Sequence, residues 1–412
     1  MKTTKFKPSE VGPIPEEWEV KALGEVGVFS KGLGVSRSES NSGALPCVRY
    51  GEIYTDYNDY IKEFRSFISE KVAAGAKLMS PGDILFAGSG ETKEEIGKTV
   101  AFLGGVDRAY CGGDILILSP SRGYDSKFLG YVCNSQPIVA QKASRGQGDA
   151  VVHIRSGSLA EVVIPVPPRS EQEKIAEALS DVDGLLAAIT KLIEKKRAIK
   201  QGAMQQLLTG KKRLAGFTGK WVEKRLGDVV EINPSLESVI PEKFVYVDLE
   251  SVAGGRLLER KLVLRERAPS RAQRRFVQGD ILFQTVRPYQ RNNLLVGFDA
   301  ANYVASTGYA VIRGRALCSC SEFIYHIIHV DDFVNGVLDR CTGTSYPAIN
   351  PGKLAEIIVR IPEAVAEQKA IASVLSDMDA EIAALEATRA KYESIKQGMM
   401  QELLTGKTRL SV

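Results

Sequence analysis

Two stretches of the chain carry apolar residues at alternating steps of four and three. They are Ile175, Leu179, Val182, Leu186 and Ile189 in the first stretch, and Ile371, Leu375, Met378, Ile382 and Leu385 in the second. This average spacing of 3.5 residues is typical of a coiled-coil seam. Each stretch is therefore predicted to form a helix of some 40 residues, roughly 60 Å long at the α-helical rise.

Neither predicted helix can bury its apolar stripe alone, so the two are expected to pair with each other. They should run antiparallel if the domains beside them are related by a pseudo-two-fold axis. The alternative is that each stripe packs separately onto its own domain. Ser170 predicts a capping-box start for the first helix, and Gly210 and Gly406 predict glycine C-caps. Gly202 and Gly398 lie inside the pattern, which predicts close helix approach there.

The remainder of the chain changes to short β-branched or aromatic runs bounded by Gly, Pro or Asp, a pattern that predicts strands. The runs are Leu45 to Tyr50, Asp83 to Ala87, Asp114 to Ser119, Phe244 to Leu249 and Asp280 to Thr285. Phe128 to Val139 and Cys320 to Leu338 are predicted to be helical. The predicted fold class is α+β, with two mixed α/β domains in pseudo-two-fold arrangement, separated by two long antiparallel coiled-coil helices.

The chain repeats itself at an offset near 196. Residues 171–214 match residues 367–410 at 24 of 44 positions without a gap. Fainter matches upstream pair Trp18 with Trp221, the Gly-Asp-Ile-Leu-Phe runs at 82–86 and 279–283, and the Leu-Ala-Glu runs at 159–161 and 354–356. The predicted segments are a domain at 1–155, a helical spacer at 156–214, a second domain at 215–352 and a second spacer at 353–412.

The repeat also predicts where the second tail lies. Leu207 to Leu214 leads directly into the second domain, so the matching tail, Leu403 to Leu410, is expected beside the start of the first domain. Between the shared markers the two halves have almost nothing in common. A duplicated frame that encloses divergent inserts indicates two binding domains for two different ligands.

Composition places the chain among globular proteins. Of its 412 residues 44% are hydrophobic and 25% charged, which is ordinary for a soluble domain. The residues from Met1 to Phe6 have no apolar run behind their charges, and no stretch approaches the ~18–20 apolar residues of a membrane span. A cytoplasmic protein without a membrane segment is expected.

The six cysteines have irregular spacings and are expected to be reduced and mostly buried. Cys318 and Cys320, followed by His326 and His329, are of zinc-ligand types. The helical periodicity there favours ordinary packing instead, so no metal site is expected.

The net charge is only +4, but its distribution is uneven. Between Arg256 and Arg291 there are ten Lys or Arg against three acidic residues. This local excess suits a phosphate backbone. A solvated basic face is the alternative.

Motifs for catalysis or cofactor binding are not evident. Thr405 to Thr408 ends like a phosphate-binding loop, but Gln401 stands where that motif needs glycine. The three histidines form no recognisable catalytic arrangement. The expectation is a chain without catalytic site or cofactor. A coiled-coil scaffold that binds only protein, and an enzyme with an unrecognised site, are the alternatives.

Motifs in both halves resemble those of one protein family. They are Gly12-Pro13-Ile14-Pro15-Glu16-Glu17-Trp18 at the start, Pro165-x-Pro167-Pro168-x2-Glu171-Gln172-x2-Ile175-Ala176-x2-Leu179-Ser180 in the middle, and Lys200-Gln201-Gly202-x-Met204-Gln205-Gln206-Leu207-Leu208-Thr209-Gly210 after it. This order resembles the specificity subunits of type I restriction–modification systems, and it occurs twice. Ile361-Pro362-Glu363 departs from the pattern by shortening the proline-rich segment before the second helix.

The resemblance implies a target-recognition subunit for a bipartite, asymmetric double-stranded DNA site, with one domain for each half-site and the helices setting the spacer. It also implies two adenine-N6 methyltransferase (M) subunits and two motor–nuclease restriction (R) subunits as partners. S-adenosylmethionine, ATP and magnesium then belong to those partners.

Base-contacting residues are expected on loops that differ between the halves. The candidates in the first half are Ser89, Thr92 and Lys93 after the Gly-Asp-Ile-Leu-Phe strand, and Arg145 and Gln147 before the Leu-Ala-Glu run. Those in the second half are Gln284, Arg287, Tyr289, Arg291 and Asn292 after the strand, and Thr342, Thr344, Ser345 and Tyr346 before Leu-Ala-Glu. Arg271 and Arg274 are expected on phosphates. For each of these the alternative is an ordinary solvated loop residue.

Overall fold

The computed structural model of the chain describes residues 5–236 and 239–410, so Met1 to Thr4 of the amino-terminal expectation lie outside it. The chain divides into two compact units. The first comprises Met1–Thr190 and Thr388–Val412, and the second comprises Lys191–Ala387. This division differs from the four predicted segments because it passes through both long helices. None of the helices in the described ranges is long and apolar enough to span a membrane.

The first unit contains fourteen short strands and six short helices before its long helix, counted over the described residues. The strands are β1 (Phe6–Lys7), β2 (Ile14–Pro15), β3 (Glu19–Ala22), β4 (Gly27–Lys31), β5 (Leu45–Val48), β6 (Ser66–Ile68), β7 (Lys77–Met79), β8 (Ile84–Ala87), β9 (Ser89–Gly90), β10 (Thr99–Ala101), β11 (Ala109–Cys111), β12 (Ile115–Pro120), β13 (Val152–His153) and β14 (Val163–Val166). The helices are α1 (Leu23–Val26), α2 (Tyr50–Thr55), α3 (Glu70–Ala73), α4 (Ser126–Cys133), α5 (Gln136–Arg145), α6 (Ser156–Ala160) and the long α7 (Arg169–Leu207).

Two four-stranded sheets form the body of this unit. The first has the order β10-β8-β12-β4 with antiparallel neighbours throughout. The second has the order β6-β5-β11-β7, in which only β5 and β11 run parallel. Strands β3 and β14 pair separately and bring the start of the domain beside the segment that leads into α7.

The second unit continues with twelve strands and five helices over its described residues. The strands are β15 (Trp221–Arg225), β16 (Val230–Ile232), β17 (Lys243–Val247), β18 (Val252–Ala253), β19 (Arg256–Leu257), β20 (Lys261–Leu264), β21 (Ala272–Arg274), β22 (Ile281–Gln284), β23 (Leu294–Leu295), β24 (Tyr303–Ser306), β25 (Tyr309–Gly314) and β26 (Ile358–Pro362). The helices are α8 (Leu226–Val229), α9 (Ser321–Ile327), α10 (Asp331–Leu338), α11 (Pro351–Ala355) and the long α12 (Val365–Leu403). Single 3₁₀ turns occupy Arg265–Arg267 and Pro288–Gln290.

The second unit repeats the sheet plan of the first. One sheet has the antiparallel order β16-β25-β22-β23, and the other has the order β20-β17-β24-β21 with a single parallel pair, β17 with β24. All five predicted strands are confirmed. The α+β class and the two helices of 39 residues each are confirmed too. The two helical predictions hold, but each predicted span consists of two helices. Asn134 and Ser135 separate α4 from α5, and residues 328–330 separate α9 from α10.

The repeated Gly-Asp pair has a structural explanation. Strands β8 and β22 are buried along their whole length, and an aspartate stands just before each. Asp83 accepts hydrogen bonds from the Ser80 N–H (2.7 Å) and the Ser119 hydroxyl (2.6 Å). Asp280 accepts one from the Val277 N–H (2.8 Å) and two from the Arg313 guanidinium. Each carboxylate therefore closes the turn and ties it to the neighbouring strand.

The ends of the long helices agree only in part with the sequence. Helix α7 begins at Arg169, so the predicted capping box is wrong: Ser170 is already inside the helix. Gly210 and Gly406 each have a φ of +69°, which confirms them as left-handed glycines after the helix ends. A Cβ added to Gly202 or Gly398 would meet nothing within 4 Å, so the predicted close approach at these positions is wrong. Nothing in the structure explains why these two glycines recur.

Within each unit the two long helices run antiparallel. In the first unit Lys396 pairs with Asp183 (2.8 Å), and Ile175 and Leu179 share a core with Leu403. In the second unit Lys200 pairs with Asp379 and Lys196 pairs with Glu381, each at 2.5 Å. The ten predicted seam residues are all buried or half-buried, although Ile395, further along α12, is 38% exposed. Antiparallel pairing is confirmed, and the first turns of α7 and α12 also pack onto their own domains.

One arrangement at the base of each domain uses the most strongly repeated residues. In the first unit the buried Glu171 accepts hydrogen bonds from the Trp18 indole N–H (3.0 Å) and from both branches of the Arg409 guanidinium (2.6 and 2.8 Å). In the second unit the buried Glu367 accepts the same bonds from Trp221 and Arg213. We call each arrangement a glutamate clasp.

The first clasp confirms the predicted position of the tail. Leu403 and Leu404 lie in the core of the first unit together with Ile14 and Trp18, and Arg409 also pairs with Glu17 at 3.0 Å. Beside each clasp the following glutamine holds the domain. The Gln172 side chain accepts a hydrogen bond from the Asp125 N–H, and that of Gln368 accepts one from the Cys320 N–H. The repeated Glu-Gln pair is thus a structural motif.

Candidate nucleic-acid interface

The divergent segments of the first domain meet at one place. After β8 the chain continues into β9, which pairs antiparallel with β13. Residues 147–153, which end with β13, form a turn closed by two backbone hydrogen bonds between Gln147 and His153 (2.9 and 2.8 Å). We call residues 147–153, and residues 342–348 of the second domain, the seven-residue turns. The segment after β8 and the segment before Leu-Ala-Glu are therefore neighbours.

The structure brings together three of the five first-domain candidates. Ser89, Arg145 and Gln147 line one cavity of about 370 Å³. Ser89 is itself buried, with its Oγ 2.9 Å from His153 Nδ1. Thr92 and Lys93 are exposed on the loop that follows and do not line this cavity.

Other residues of the cavity were missed by the sequence reasoning. Lys31, Asp114 and Arg155 also line it, and they lie at the end of β4, before β12 and before α6. The positive charges of Lys31 and Arg155 face the same space as Arg145, and Asp114 adds one carboxylate. Only Arg155 could have been predicted from the sequence, because it lies in the polar segment just before Leu-Ala-Glu. Lys31 and Asp114 come from segments that have no sequence similarity to the second half.

The second domain brings its two divergent segments together in the same way. Thr342 and Ala348 exchange the two backbone hydrogen bonds that close its turn, each 2.9 Å long. Val286 bridges to Ala348, and the Arg287 N–H donates to the Pro347 carbonyl (2.7 Å). Both turns have seven residues and a glycine with positive φ at the second position, Gly148 and Gly343. The internal repeat thus extends upstream of Leu-Ala-Glu, beyond what sequence matching detected.

The second-domain candidates fall into two groups. Tyr289 and Tyr346 are 51% and 65% exposed, and Thr342, Thr344 and Ser345 are exposed on the seven-residue turn. Arg287 lies over the Tyr346 ring, with 4.2 Å from Cζ to the ring centroid. These residues are exposed, apart from Arg287, which is half-buried.

The remaining candidates have structural contacts. Gln284 is 1% exposed, and its side chain bonds Gln290 and the Asn292 N–H within the loop. Arg291 donates to the His329 carbonyl (2.9 Å) and pairs with Asp331 (2.6 Å). The structure therefore gives Gln284 and Arg291 a supporting position that the sequence did not predict.

The basic run is only partly available for phosphate. Arg256 pairs with Glu386 (3.0 Å), and Lys261 pairs with Asp248 (3.0 Å). Arg271 is exposed and Arg274 half-buried, and neither has a carboxylate partner among the described residues. The positive charge expected for a phosphate contact remains at these two positions.

The Cys318–His329 segment consists of separate structural contacts. The Cys320 thiol lies against Glu322, while His326 Nε2 lies 3.4 Å from the Ser376 hydroxyl. Burial, with the nearby charge of Lys200, lowers the pKa of His326 to about 4, and burial also lowers the pKa of His329. No group of three or more metal-ligating side chains occurs within residues 5–236 and 239–410. All six cysteines are free, and four of them are buried, as predicted.

Comparison with known proteins agrees with this double architecture. The model of the type I restriction modification DNA specificity domain matches the chain twice, at residues 15–201 and 218–397. Two specificity subunits of type I restriction enzymes from Methanocaldococcus jannaschii align with 99% of the chain. MjaX, whose own assignment is provisional, is 27% identical over 98% of its length, and MjaVIII is 23% identical over 97%.

Solved structures show the same fold. The S subunit of a type I restriction–modification system from M. genitalium superposes with a TM-score of 0.61 at 16% identity, covering 94% of this chain and 96% of that one. A chain from a study of complex assembly in the type I R-M system gives 0.54 at 18% identity, covering 96% and 99%. With two matched domains that together span most of its length, the chain belongs to the family of type I restriction–modification DNA specificity subunits.

Proposed function

We propose that the chain is the DNA-recognition subunit of a type I restriction–modification enzyme and that each domain contacts one half of a bipartite, asymmetric double-stranded target. One observation carries this proposal. The two domains have the same sheet plan and the same seven-residue turn, yet the side chains on and beside that turn differ in charge, size and hydrogen-bonding capacity. Sequence recognition of two different half-sites needs this combination, because base edges are distinguished by donor and acceptor patterns.

Two M subunits and two R subunits dock on the chain in this proposal. S-adenosylmethionine, ATP and magnesium are bound by those partners, and the chain contributes no catalytic residue. Apolar side chains left at the surface of α7 support a docking role: Leu185, Leu192 and Ile199 recur every seven residues and are 39%, 40% and 48% exposed. Exposed apolar rows of this kind are typical of protein–protein contacts.

The test is to co-express the chain with its methyltransferase subunit in a host that lacks other adenine methyltransferases, and to map N6-methyladenine across the genome. We expect one motif with two defined halves and a fixed unread spacer. The matched variant replaces Thr342–Tyr346 by the sequence of Gln147–Val151, five residues for five. It should change the second half of the motif and leave the first half as it was.

The scaffold alternative makes the opposite prediction. A coiled-coil protein that binds only other proteins has no use for divergent loops, so the exchange of turn sequences would leave methylation unchanged. Methylation without any sequence preference in the parent would exclude the proposed function itself. The methyltransferase subunit expressed alone provides the background.

A further inference from the structure

Two arginines bracket the loop that follows β22 in the second domain. Arg287 and Arg291 flank the 3₁₀ turn Pro288–Gln290, and both have left-handed backbone angles, with φ of 52° and 54°. A residue other than glycine is strained in this conformation. Such a loop persists only where the surrounding contacts over-determine it, so the contacts beneath residues 284–293 decide what the loop is built to present.

The buried side-chain amides of Gln284 and Asn293 support the loop. Gln284 and Asn293 are 1% and 2% exposed. The Gln284 N–H donates to Asn293 Oδ1 (2.9 Å), and Gln284 Oε1 accepts from the Asn292 N–H (3.2 Å). The side-chain nitrogen of Gln284, Nε2, donates to Gln290 Oε1 (2.8 Å). One buried glutamine thus fixes the last residue of the turn and the two positions that follow Arg291.

His329 joins this loop to the helices. Its Nε2 lies 3.3 Å from Asn293 Nδ2, and its Nδ1 lies 2.6 Å from the Tyr325 carbonyl. Since the asparagine nitrogen and the carbonyl fix the roles, Nε2 accepts, Nδ1 donates, and the ring is neutral. The pKa of His329 is lowered by burial, which agrees with a neutral ring.

The two arginines differ in what remains of their hydrogen-bonding capacity. Arg291 uses one guanidinium nitrogen on the His329 carbonyl and another on Asp331. Arg287 has no carboxylate partner among the described residues, lies over the exposed Tyr346 ring, and has its Nε buried without a hydrogen-bond partner there. The strained loop therefore holds one arginine as an anchor and leaves the other with free donors.

We propose that Arg287 is a specificity-determining residue of the second domain, that its ligand is a guanine of the second half-site, and that Arg291 is a positioning residue. This inference rests on the proposed function. A guanidinium presents two parallel N–H donors, and only guanine offers the matching pair of acceptors, O6 and N7, in the major groove. Contact with the Tyr346 ring limits the orientations of the guanidinium, which reduces the entropy lost when it meets a base.

The experiment uses the assembled methyltransferase and a duplex library randomised in each half-site, with bound sequences counted. The parent should require guanine at one position of the second half. Arg287→Ala should lower that preference about 5- to 150-fold and leave the first half unchanged. Arg287→Lys keeps the charge but replaces the two planar donors by one ammonium group, so it should weaken the guanine preference while the dependence of binding on salt stays near that of the parent.

Controls separate this inference from its alternatives. Arg340→Ala removes an exposed arginine of the same unit that donates to the Gly336 carbonyl, and it should keep the parental preference. Arg291→Ala should loosen the loop and weaken discrimination over several positions of the second half instead of one. If Arg287→Ala unfolds the domain, Arg287→Lys decides.

A lysine variant with an undiminished guanine preference would show that the paired donors of Arg287 are not used, and it would overturn the inference. An alanine variant with unchanged preference would do the same. A parent without sequence preference in either half would instead reject the proposed function, so the two failures can be told apart.

Discussion

The same seven-residue turn carries different side chains in the two domains. Four residues after the turn begins, the first domain has Val151 and the second has Tyr346. Opposite the turn, the first domain has Gly90 in β9, where the second has Arg287. The backbone bridges are the same in both, whereas the chemistry at the surface is not. The frame is therefore held by backbone bonds and buried side chains, which leaves the exposed side chains free to change at little cost in stability.

Charges placed in the helix seam should break this frame most severely. Leu186 is half-buried and Ile382 is buried. The double change Leu186→Asp, Ile382→Asp should therefore lower the free energy of unfolding by several kcal/mol, because each carboxylate is desolvated without a partner. Urea unfolding measures the loss. Leu185→Asp, at an exposed neighbouring position, is the control. Equal small losses in both variants would contradict a buried seam.

Loss of either glutamate clasp should lower the free energy of unfolding somewhat less, and it should destabilise only the unit that contains the clasp. Arg409→Ala or Arg213→Ala leaves a buried carboxylate without its cation, at a cost of about 3 kcal/mol, the lower end for such pairs since the tryptophan indole still donates to the carboxylate. Hydrogen exchange should show Arg409→Ala opening the first unit and Arg213→Ala opening the second. Protection that falls equally in both units for either variant would contradict two independent clasps.

Acid should distinguish the two domains. His326 occupies in the second repeat the position that Tyr131 occupies in the first, and burial raises the pKa of Tyr131 but lowers that of His326 to about 4. A histidine whose pKa is near 6.5 in the unfolded state and about 4 in the folded state binds its proton more readily when the protein is unfolded. Stability should therefore fall as pH decreases from about 6.5 towards 4, by about 2 kcal/mol at pH 5.

The comparison of wild type with His326→Gln isolates this contribution. Urea unfolding at pH 7 and pH 5 should show a smaller loss in the variant, because His329, Lys200 and Asp379 remain in both proteins. Identical losses would mean that His326 is not kept neutral by its surroundings.

The smallest effect is expected at the phosphate-contact candidates. Arg271→Ala or Arg274→Ala should weaken binding to all sequences alike and reduce the slope of log affinity against log salt by about one. The assembled methyltransferase, titrated on specific and unrelated duplexes at several salt concentrations, provides the measurement. A change in preference at one base position would place the arginine on a base instead.

The features that the sequence predicts correctly are those in which a physical constraint repeats along the chain. The seam, the strands after Gly82 and Gly279, and the docking of Leu403 to Leu410 could be predicted because both copies carry identical or equally apolar residues at matching positions. The structure shows what those residues do: Glu171 and Glu367 bind the arginine of a distant tail.

The candidate interface was less predictable because its members come from segments far apart in the chain. Lys31 and Asp114 reach the first-domain cavity only through sheet pairing, and neither has a counterpart motif in the second half. Arg287 and Arg291 look equivalent in sequence, yet Asp331, forty residues further on, engages only one of them. Residue type indicated which loops carry candidate contacts, but hydrogen-bond partners were needed to distinguish a surface donor from an anchor.

The discontinuous first unit has a consequence for synthesis on the ribosome. The second unit is one uninterrupted stretch, Lys191–Ala387, and its clasp arginine, Arg213, is translated before Glu367. The first unit lacks Leu403, Leu404 and Arg409 until long after residue 190 has emerged. At about 5–20 residues per second this delay lasts roughly 10 to 40 seconds. During that interval the apolar residues around Trp18 lack the side chains that cover them in the finished protein. The first domain to be made is therefore the last to be completed.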